Sequence, residues 1–420
     1  MDVYFGCWNN GLCNVEEHIN NGLSMVMDSL QKKTTINNMF VLGDNYYGEK
    51  NKTLEPEINN KLEEKKVKKE KKLVINNFIS GFKCLTEIDA NKIYVMLGNH
   101  ELDDYKIAEH HDEKVCILDL QKRIIEKYEK MDLKHFDAIY NPSLKTHTII
   151  IDTNLYGLIK DIHVNDTKKN INLDCYDTNV SIDDLKDLQK KQIIEYIKSI
   201  NNDTDSIIIC GHEPLVNYRG PKKTKDKKDK KDKKDKKDKK KKKKKKADTV
   251  YENKTGNRVD IHPDLIDLMY EVIDECKFIN PLYYICADTH LYQHTTLHIN
   301  NKNIEQYIVG TGGAKLDYEP IYPNNELFNS IINERLNNHI NDIVKHVNVS
   351  KRTNGYIVLK NRVYNGRPTL TFTFVETNKY TGKTYTRKKI KHKKNTIRRK
   401  PKPRKPTPTK RKTKRKTKKR

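Results

Sequence analysis

A chain of 420 residues with 35% hydrophobic residues can bury one large core or two ordinary ones, and part of it must lie outside any core. The formal charge of +26 sits in two segments, residues 222–246 with 19 Lys and 5 Asp and residues 379–420 with 23 Lys and Arg and no acid, which leaves the remainder acidic at net −11. No window approaches the roughly 20 apolar residues of a membrane helix, and no leader with a basic start, an apolar stretch and small residues opens the chain. An intracellular, non-secreted protein of the cytoplasm, the nucleus or a nucleic-acid-containing particle is expected, with no membrane partner.

Short apolar runs that end in polar clusters recur along the chain. Residues 3–5 run into Gly6-Cys7-Trp8-Asn9, and 39–42 into Gly43-Asp44-Asn45-Tyr46-Tyr47. The Glu/Lys mixture of residues 61–72 reads as a solvated helix face. Residues 93–97 precede Gly98-Asn99-His100-Glu101, 148–151 precede Asp152-Thr153-Asn154, 207–210 precede Gly211-His212-Glu213-Pro214, and 282–286 precede Ala287-Asp288-Thr289-His290. Such runs are what strands covered on both faces look like, and sites in open α/β sheets gather at the carboxyl ends of strands. Helical spacing appears at Leu185, Leu188, Ile193, Ile194 and Ile197, and again at Leu265, Leu268, Met269, Val272 and Ile273.

The Lys/Asp run of 222–246 buries nothing and repels itself, so it reads as a disordered surface loop. A long insertion there is tolerable because loop closure grows only slowly in cost with length. Late in the chain, 356–364 and 369–375 flank Asn365-Gly366, and Thr369, Thr371 and Thr373 alternate with Leu370, Phe372 and Phe374. That pattern predicts a hairpin with one buried face. One domain is expected over residues 1–377, with the site motifs in 1–320, a closing helix and hairpin over 325–375, and a disordered basic tail over 379–420. The eight cysteines are scattered without a CxxC pair, which predicts reduced thiols.

Phosphoester hydrolysis needs charge neutralisation on a phosphoryl group and a nucleophile made from water. Two metal ions about 3.5–4 Å apart, bridged by a carboxylate, supply both. Asp44, Tyr47, Asn99, His212 and His290 each sit just past a strand end and suit such a centre. In order and spacing, Gly43-Asp44-Asn45-Tyr46-Tyr47, Gly98-Asn99-His100-Glu101 and Ile208-Ile209-Cys210-Gly211-His212-Glu213-Pro214 resemble the blocks of the calcineurin-like metallophosphoesterases, most closely the purple acid phosphatases of the tartrate-resistant type. Asp152-Thr153-Asn154 and Val309-Gly310-Thr311-Gly312-Gly313 extend the likeness over residues 1–320.

The resemblance implies an α/β fold, a four-layer α/β/β/α sandwich of two packed mixed sheets, and hydrolysis of phosphomonoesters by metal-bound hydroxide. It implies Asp44 as the bridging carboxylate, Tyr47 and His290 on one metal, and Asn99 and His212 on the other. His100 would contact the phosphate and donate a proton to the leaving oxygen. No role falls to Glu101.

Two positions depart from the family pattern: Cys7 stands where the family has Asp, and Asp288 where it has His. Both are competent ligands, since a thiolate binds Zn or Fe and a carboxylate binds hard and borderline ions. The expected cofactors are therefore two metal ions, Fe with Fe, Zn or Mn, with Cys7 and Asp288 among the candidate ligands. Cys7 stays open between a ligand and a small buried thiol. Trp8 reads as packing, and His18, His110, His111, His135, His147 and His163 have no motif context. The basic tail and loop suit a nucleic acid or other polyanion held through phosphates, or a solubilising extension; no aromatic follows Tyr385 to stack on bases. The alternative function is a catalytically impaired pseudophosphatase acting as a basic nucleic-acid-associated protein.

Overall fold

The computed structural model describes residues 1–9, 22–33, 35–45, 79–102, 104–105, 115–157, 180–201, 204–220, 250–252, 258–276, 280–314, 316–317, 344–364 and 367–377. Residues Met1–Lys379 form one compact unit, and Tyr380–Arg420 are grouped separately. The basic tail, the 222–246 loop, the 61–72 stretch, the closing-helix region near 325 and Tyr47 lie outside the described residues.

In chain order the strands used below are β1 (Asp2–Phe5), β2 (Ile36–Val41), β3 (Ala90–Met96), β4 (Met131–Lys134), β5 (Asp137–Asn141), β6 (Thr146–Ile150), β7 (Ser206–Cys210), β8 (Val216–Arg219), β9 (Val250–Glu252), β10 (Arg258–Ile261), β11 (Leu282–Cys286), β12 (Tyr292–Ile299), β13 (Lys302–Val309), β14 (Val344–Lys351), β15 (Gly355–Tyr364) and β16 (Arg367–Glu376). The helices are α1 (Gly22–Gln31), α2 (Ile117–Ile125), α3 (Ile182–Lys198) and α4 (Pro263–Cys276).

One mixed sheet runs β16-β15-β1-β2-β3-β4 and the other runs β14-β12-β13-β11-β7-β6-β5. Within the first, β1 to β4 are parallel and the β15–β16 hairpin joins antiparallel. Within the second, β6, β7, β11 and β13 are parallel. All six apolar runs singled out in the sequence lie in these parallel strands or extend one residue past them.

Period-two alternation assigns each strand's side chains to two faces. On the first sheet Val3, Phe5, Met39, Val41, Ile93 and Val95 face outward onto Leu23, Val26, Met27 and Leu30 of α1 and onto Phe82 and Leu85. On the second, Ile149, Ile207, Ile209, Leu282 and Tyr284 face Ile193 and Ile197 of α3 and Leu265, Leu268, Met269 and Val272 of α4. The residues between these, Tyr4, Phe40 and Met96 from one sheet and Ile150, Ile208, Cys210 and Ile285 from the other, share a central cluster. The chain is thus the expected four-layer α/β/β/α sandwich.

α3 begins at Ser181, whose Oγ accepts from Asp184 N at 3.1 Å, and Asp183 and Asp184 occupy the positive end of its dipole. The hairpin presents Phe372 and Phe374 to the opposite sheet. Phe374 stacks on Tyr292 with centroids 3.9 Å apart, and Phe372 on Tyr307 at 4.7 Å. Such pairs add about 0.5–1.5 kcal/mol each beyond their burial.

β12 and β13 carried no clear apolar signal because polar side chains are buried in them. Gln306 Oε1 accepts from Leu215 N at 2.8 Å and its Nε2 donates to Val216 O at 2.7 Å, while Gln293 Oε1 accepts from Tyr218 N at 3.3 Å. These amides dock the small antiparallel sheet β8-β10-β9 onto the second sheet. They satisfy backbone groups that would otherwise be orphaned in the interior.

One expectation is overturned. Cys7, Cys210, Cys276 and Cys286 form no disulfide, but Cys84 is disulfide-bonded. Pairing depends on which cysteines the fold brings within bonding reach, and linear spacing carries no such information. Among the described residues, no helix is long and apolar enough to cross a membrane.

Candidate metal centre

Parallel strands place their carboxyl ends side by side, and both sheets bring those ends to one edge of the sandwich. Cys7 follows β1, Asp44 follows β2, Asn99 and His100 follow β3, His212 follows β7, and Asp288 and His290 follow β11. The two edges are stitched together by backbone. Gly6 N donates to Val309 O at 3.0 Å, Gly312 N to Gly6 O at 3.0 Å and Ala314 N to Cys7 O at 2.9 Å. This explains the glycines of 310–313: a Cβ on Gly312 would lie 2.6 Å from that of Trp8.

Asp44 is the hub, and it is almost wholly buried at 1% exposure. Its Oδ1 lies 3.1 Å from His212 Nε2 and 3.4 Å from His100 N, from which it accepts. Its Oδ2 lies 3.7 Å from Cys7 Sγ, the thiol donating, and 3.8 Å from His100 Nε2. Cys7, Asp44 and His290 offer one ligand atom each, all within 4.8 Å of one another. Asp288 Oδ1 lies 3.9 Å from His212 Nε2. Of the residues singled out from the sequence, Cys7, Asp44, His100, His212, Asp288 and His290 are brought together, Asn99 precedes His100 in the turn after β3, and Tyr47 falls outside the described residues.

Three of these donors, Cys7, Asp44 and Asp288, have left-handed backbones with φ of 52°, 52° and 44°. A non-glycine residue in that region is strained by about 1–3 kcal/mol, and such strain persists only where the surroundings over-determine it. Part of the over-determination is Gly98, where a Cβ would collide with Asp44 N and Oδ1. Part is Glu101, fully buried, which accepts from Gly98 N, from Asp44 N at 3.2 Å and from Asn45 N at 2.7 Å. Burial and the adjacent Asp44 carboxylate push Glu101 up to about 7. Trp8 Nε1 donates to Asn45 Oδ1 at 2.8 Å, and Asn45 Nδ2 to Met96 O at 2.7 Å. Trp8 thus packs, as expected, and also braces the Asp44 loop.

On the second sheet Thr153 Oγ1 accepts from His212 N at 3.2 Å and Glu213 N at 3.0 Å, which gives the Asp152-Thr153-Asn154 stretch its purpose. Arg219 and Asp317 had no signal in the sequence. Arg219 Nη2 donates to Asp288 Oδ2 at 2.6 Å and its Nη1 lies 3.5 Å from Asp317 Oδ2, which accepts from His290 N at 3.1 Å.

The donor set fits metal ions. Two of the buried side-chain atoms without a hydrogen-bond partner among the described residues are Asn99 Oδ1 and His212 Nε2. His212 Nδ1 donates to Leu42 O at 2.7 Å, so the neutral ring turns its Nε2 lone pair toward the Asp44 carboxylate. A proton on Nε2, or a cation that both atoms ligate, satisfies this pair 3.1 Å apart. Burial opposes charging the ring, yet Asp44 and Asp288 outweigh it and push His212 up to about 10, so a proton is held there when nothing else is. Metal-binding imidazoles commonly have their other nitrogen fixed in this way.

No family model matches the chain, and no curated protein matches it. Among solved structures the chain is similar over 89% of its length to PhoD, at 10% identity and a TM-score of 0.44, spanning 68% of that chain. It is similar over 90% to GAP50, the anchor in the inner membrane complex of Plasmodium, at 11% identity and a TM-score of 0.38, spanning 84% of that chain. Over 90% of its length it is also similar to the purple acid phosphatase PPD1 of yellow lupin (Lupinus luteus) seeds, at 14% identity and a TM-score of 0.43, and it spans 51%, about half, of that chain. At such identities the likeness is one of chain path and says nothing about the residues around Asp44.

Proposed function

We propose that this chain is a metal-dependent phosphoesterase of the metallophosphoesterase superfamily, acting on phosphomonoesters at a binuclear centre bridged by Asp44. What supports the reading is Asp44, with His212 Nε2 at its Oδ1 and the Cys7 thiol at its Oδ2, the Cys7–Asp44–His290 cluster, and a buried Asn99 Oδ1 without a hydrogen-bond partner among the described residues. Cys7, Asp44, His290 and Tyr47 would hold one cation, and Asp44, Asn99, His212 and Asp288 the second. Iron paired with iron, zinc or manganese suits these donors. When bound, the cations supply charge neutralisation for a phosphoryl group and activation of water.

The remaining work falls to the protein. His100, with its side chain 15% exposed and 3.8 Å from Asp44, would meet a phosphate oxygen and donate a proton to the leaving oxygen. The Glu101 cage keeps Asp44 in place, so reorganisation during the reaction is small. The test is elemental analysis of the purified protein together with hydrolysis of a generic aryl phosphate across several metals. Stoichiometric metal with turnover is the expected result, and metal-free protein without turnover under every ion would defeat the proposal.

The two basic segments extend the proposal to polyanions. Deleting residues 379–420 should leave turnover of a small aryl phosphate intact. It should also flatten the fall of log affinity for DNA with log salt, which runs at about −0.9 per phosphate contacted on duplex DNA. Equal slopes for the two forms would make the tail a solubilising extension only.

A further inference from the structure

A second gathering of polar and aromatic side chains lies at the opposite end of the strands from Asp44. Asp205 precedes β7 and His212 follows it, so the two stand roughly 20 Å apart at the rise of an extended strand. Asp205 borders a cavity of about 240 Å³ whose walls include Tyr140, His147 and Tyr196 and, past the end of α3, Ser199 and Ile200. Tyr140 is 47% exposed, whereas the Asp205 side chain is 3% exposed and that of His147 12%. Tyr140 thus marks the open side of the cavity and Asp205 its floor.

Strand register assembles the group. Tyr140 of β5 and His147 of β6 are direct cross-strand partners, and their rings stack with centroids 4.5 Å apart. Thr146 pairs with Ser206, which brings Asp205 beside His147, and Asn280 Nδ2 donates to the Asp205 carbonyl at 2.8 Å. His147 Nδ1 lies 2.9 Å from the Tyr196 hydroxyl and its Nε2 3.4 Å from Asp205 Oδ2. One neutral ring satisfies both contacts, accepting from the phenol and donating to the carboxylate. Burial holds the His147 pKa below its ordinary value, so the ring adds no positive charge at neutral pH. The Tyr140 hydroxyl also bonds Asp205. α3, 17 residues long, ends at the C-cap Ser199 and turns the negative end of its dipole toward the same wall. Among the described residues that line the cavity, none is Lys or Arg.

We propose that this cavity is a binding site for a small organic ammonium cation, with Asp205 as its counter-charge and Tyr140 and Tyr196 as its aromatic wall. An anion there would face a buried carboxylate and a helix carbonyl end with no basic side chain in the lining to offset them. A metal ion needs several oxygen ligands converging on one point, and the lining holds a single carboxylate. A neutral apolar molecule gains nothing from Asp205. An alkylated ammonium spreads its charge over a large, weakly hydrated surface, so it gives up little hydration on entering and is attracted by the rings and the carboxylate together. The site stands apart from Asp44 and does not depend on the metal reading.

The experiment is choline binding to the full-length protein at constant ionic strength, measured by titration calorimetry and by saturation transfer to the N-methyl protons. Choline should bind with a Kd of about 1 mM or tighter. Its uncharged analogue, in which a tert-butyl group replaces the trimethylammonium, should bind about tenfold more weakly or not at all. Asp205→Asn should weaken choline about tenfold or more, and Tyr140→Leu and Tyr196→Leu about threefold to tenfold each. Asp44→Asn, at the far end of the strands, should leave choline affinity unchanged. Loss of binding in Asp44→Asn would put the cation at the metal edge and overturn the inference. Equal affinity for choline and its analogue, potassium bound as tightly as choline, unchanged affinity in folded Asp205→Asn, or no saturable binding overturns it as well. If Asp205→Asn fails to fold, unchanged affinity in Tyr140→Leu, whose ring is half-exposed, overturns it instead.

Discussion

The two sheets hold their contributions to the centre by different means. On the first sheet the Asp44 loop is locked by neutral backbone donors converging on the buried Glu101 and by the Trp8–Asn45 bond, all inside the protein. On the second, Asp288 and His290 are steadied by the Arg219–Asp317 pair nearer the surface, where Asp317 is 30% exposed. Buried hydrogen bonds act at low dielectric and tolerate little rearrangement, whereas ion pairs open to water are screened and adjustable. The difference separates a rigid frame around Asp44 from an adjustable side around Asp288.

The largest effect should come from the atom shared by both sides. Asp44→Asn removes the bridging charge, so metal content should fall by at least one equivalent and turnover by about 10³-fold or more, reflecting several kcal/mol of lost charge stabilisation. Unchanged metal and turnover would remove Asp44 from the centre. Next comes Glu101→Gln, which turns an NH2 toward backbone donors and should lower unfolding stability by about 2–3 kcal/mol. Arg219→Met should lower it by about 1 kcal/mol or less. Denaturant unfolding of the two variants measures the contrast, and equal losses would break it.

Cys7→Ser sharpens the comparison from the metal side. Affinity for Zn²⁺ or Cd²⁺ should fall about tenfold or more, with Cys7→Asp restoring binding and shifting preference toward harder ions. A merely buried thiol would show the reverse: metal content indifferent to Ser, and a fold destabilised by the buried Asp.

The smallest effect lies away from the centre, at Glu305 on β13, whose pKa is lowered first by the His294 bond at 2.7 Å and further by Thr296. A depressed carboxylate stabilises the fold above its unfolded pKa and loses that contribution as pH falls through the folded value. With Glu305 about one-third exposed, Glu305→Gln should therefore remove only about 0.5 kcal/mol at about pH 6, and less at about pH 3, below the ordinary carboxylate value. A urea titration at the two pH values checks the sign.

The parallel strands, α3 and α4, and the closing hairpin were legible from residue order. A strand covered on both faces must be apolar throughout, and a helix on one face must repeat at its own period. The GDxxY-like and GNH-like blocks were legible through their resemblance, in order and spacing, to the metallophosphoesterase blocks, since a lone Gly-Asp after a strand is usually a turn. Less was legible where burial is polar: Gln293 and Gln306 look like surface residues in one dimension and become interior ones only because β8 brings backbone groups to them. The bonds from Asp44 N and Asn45 N to Glu101 and the Arg219–Asp288 pair join residues 56 or more positions apart. Sequence by itself determined which residues were chemically able to bind metal, since that is a property of side chains and of their place after a strand. Only the tertiary structure decided which of them share a carboxylate and which are already neutralised by a guanidinium, because electrostatic coupling depends on distance through the folded interior and not on distance along the chain.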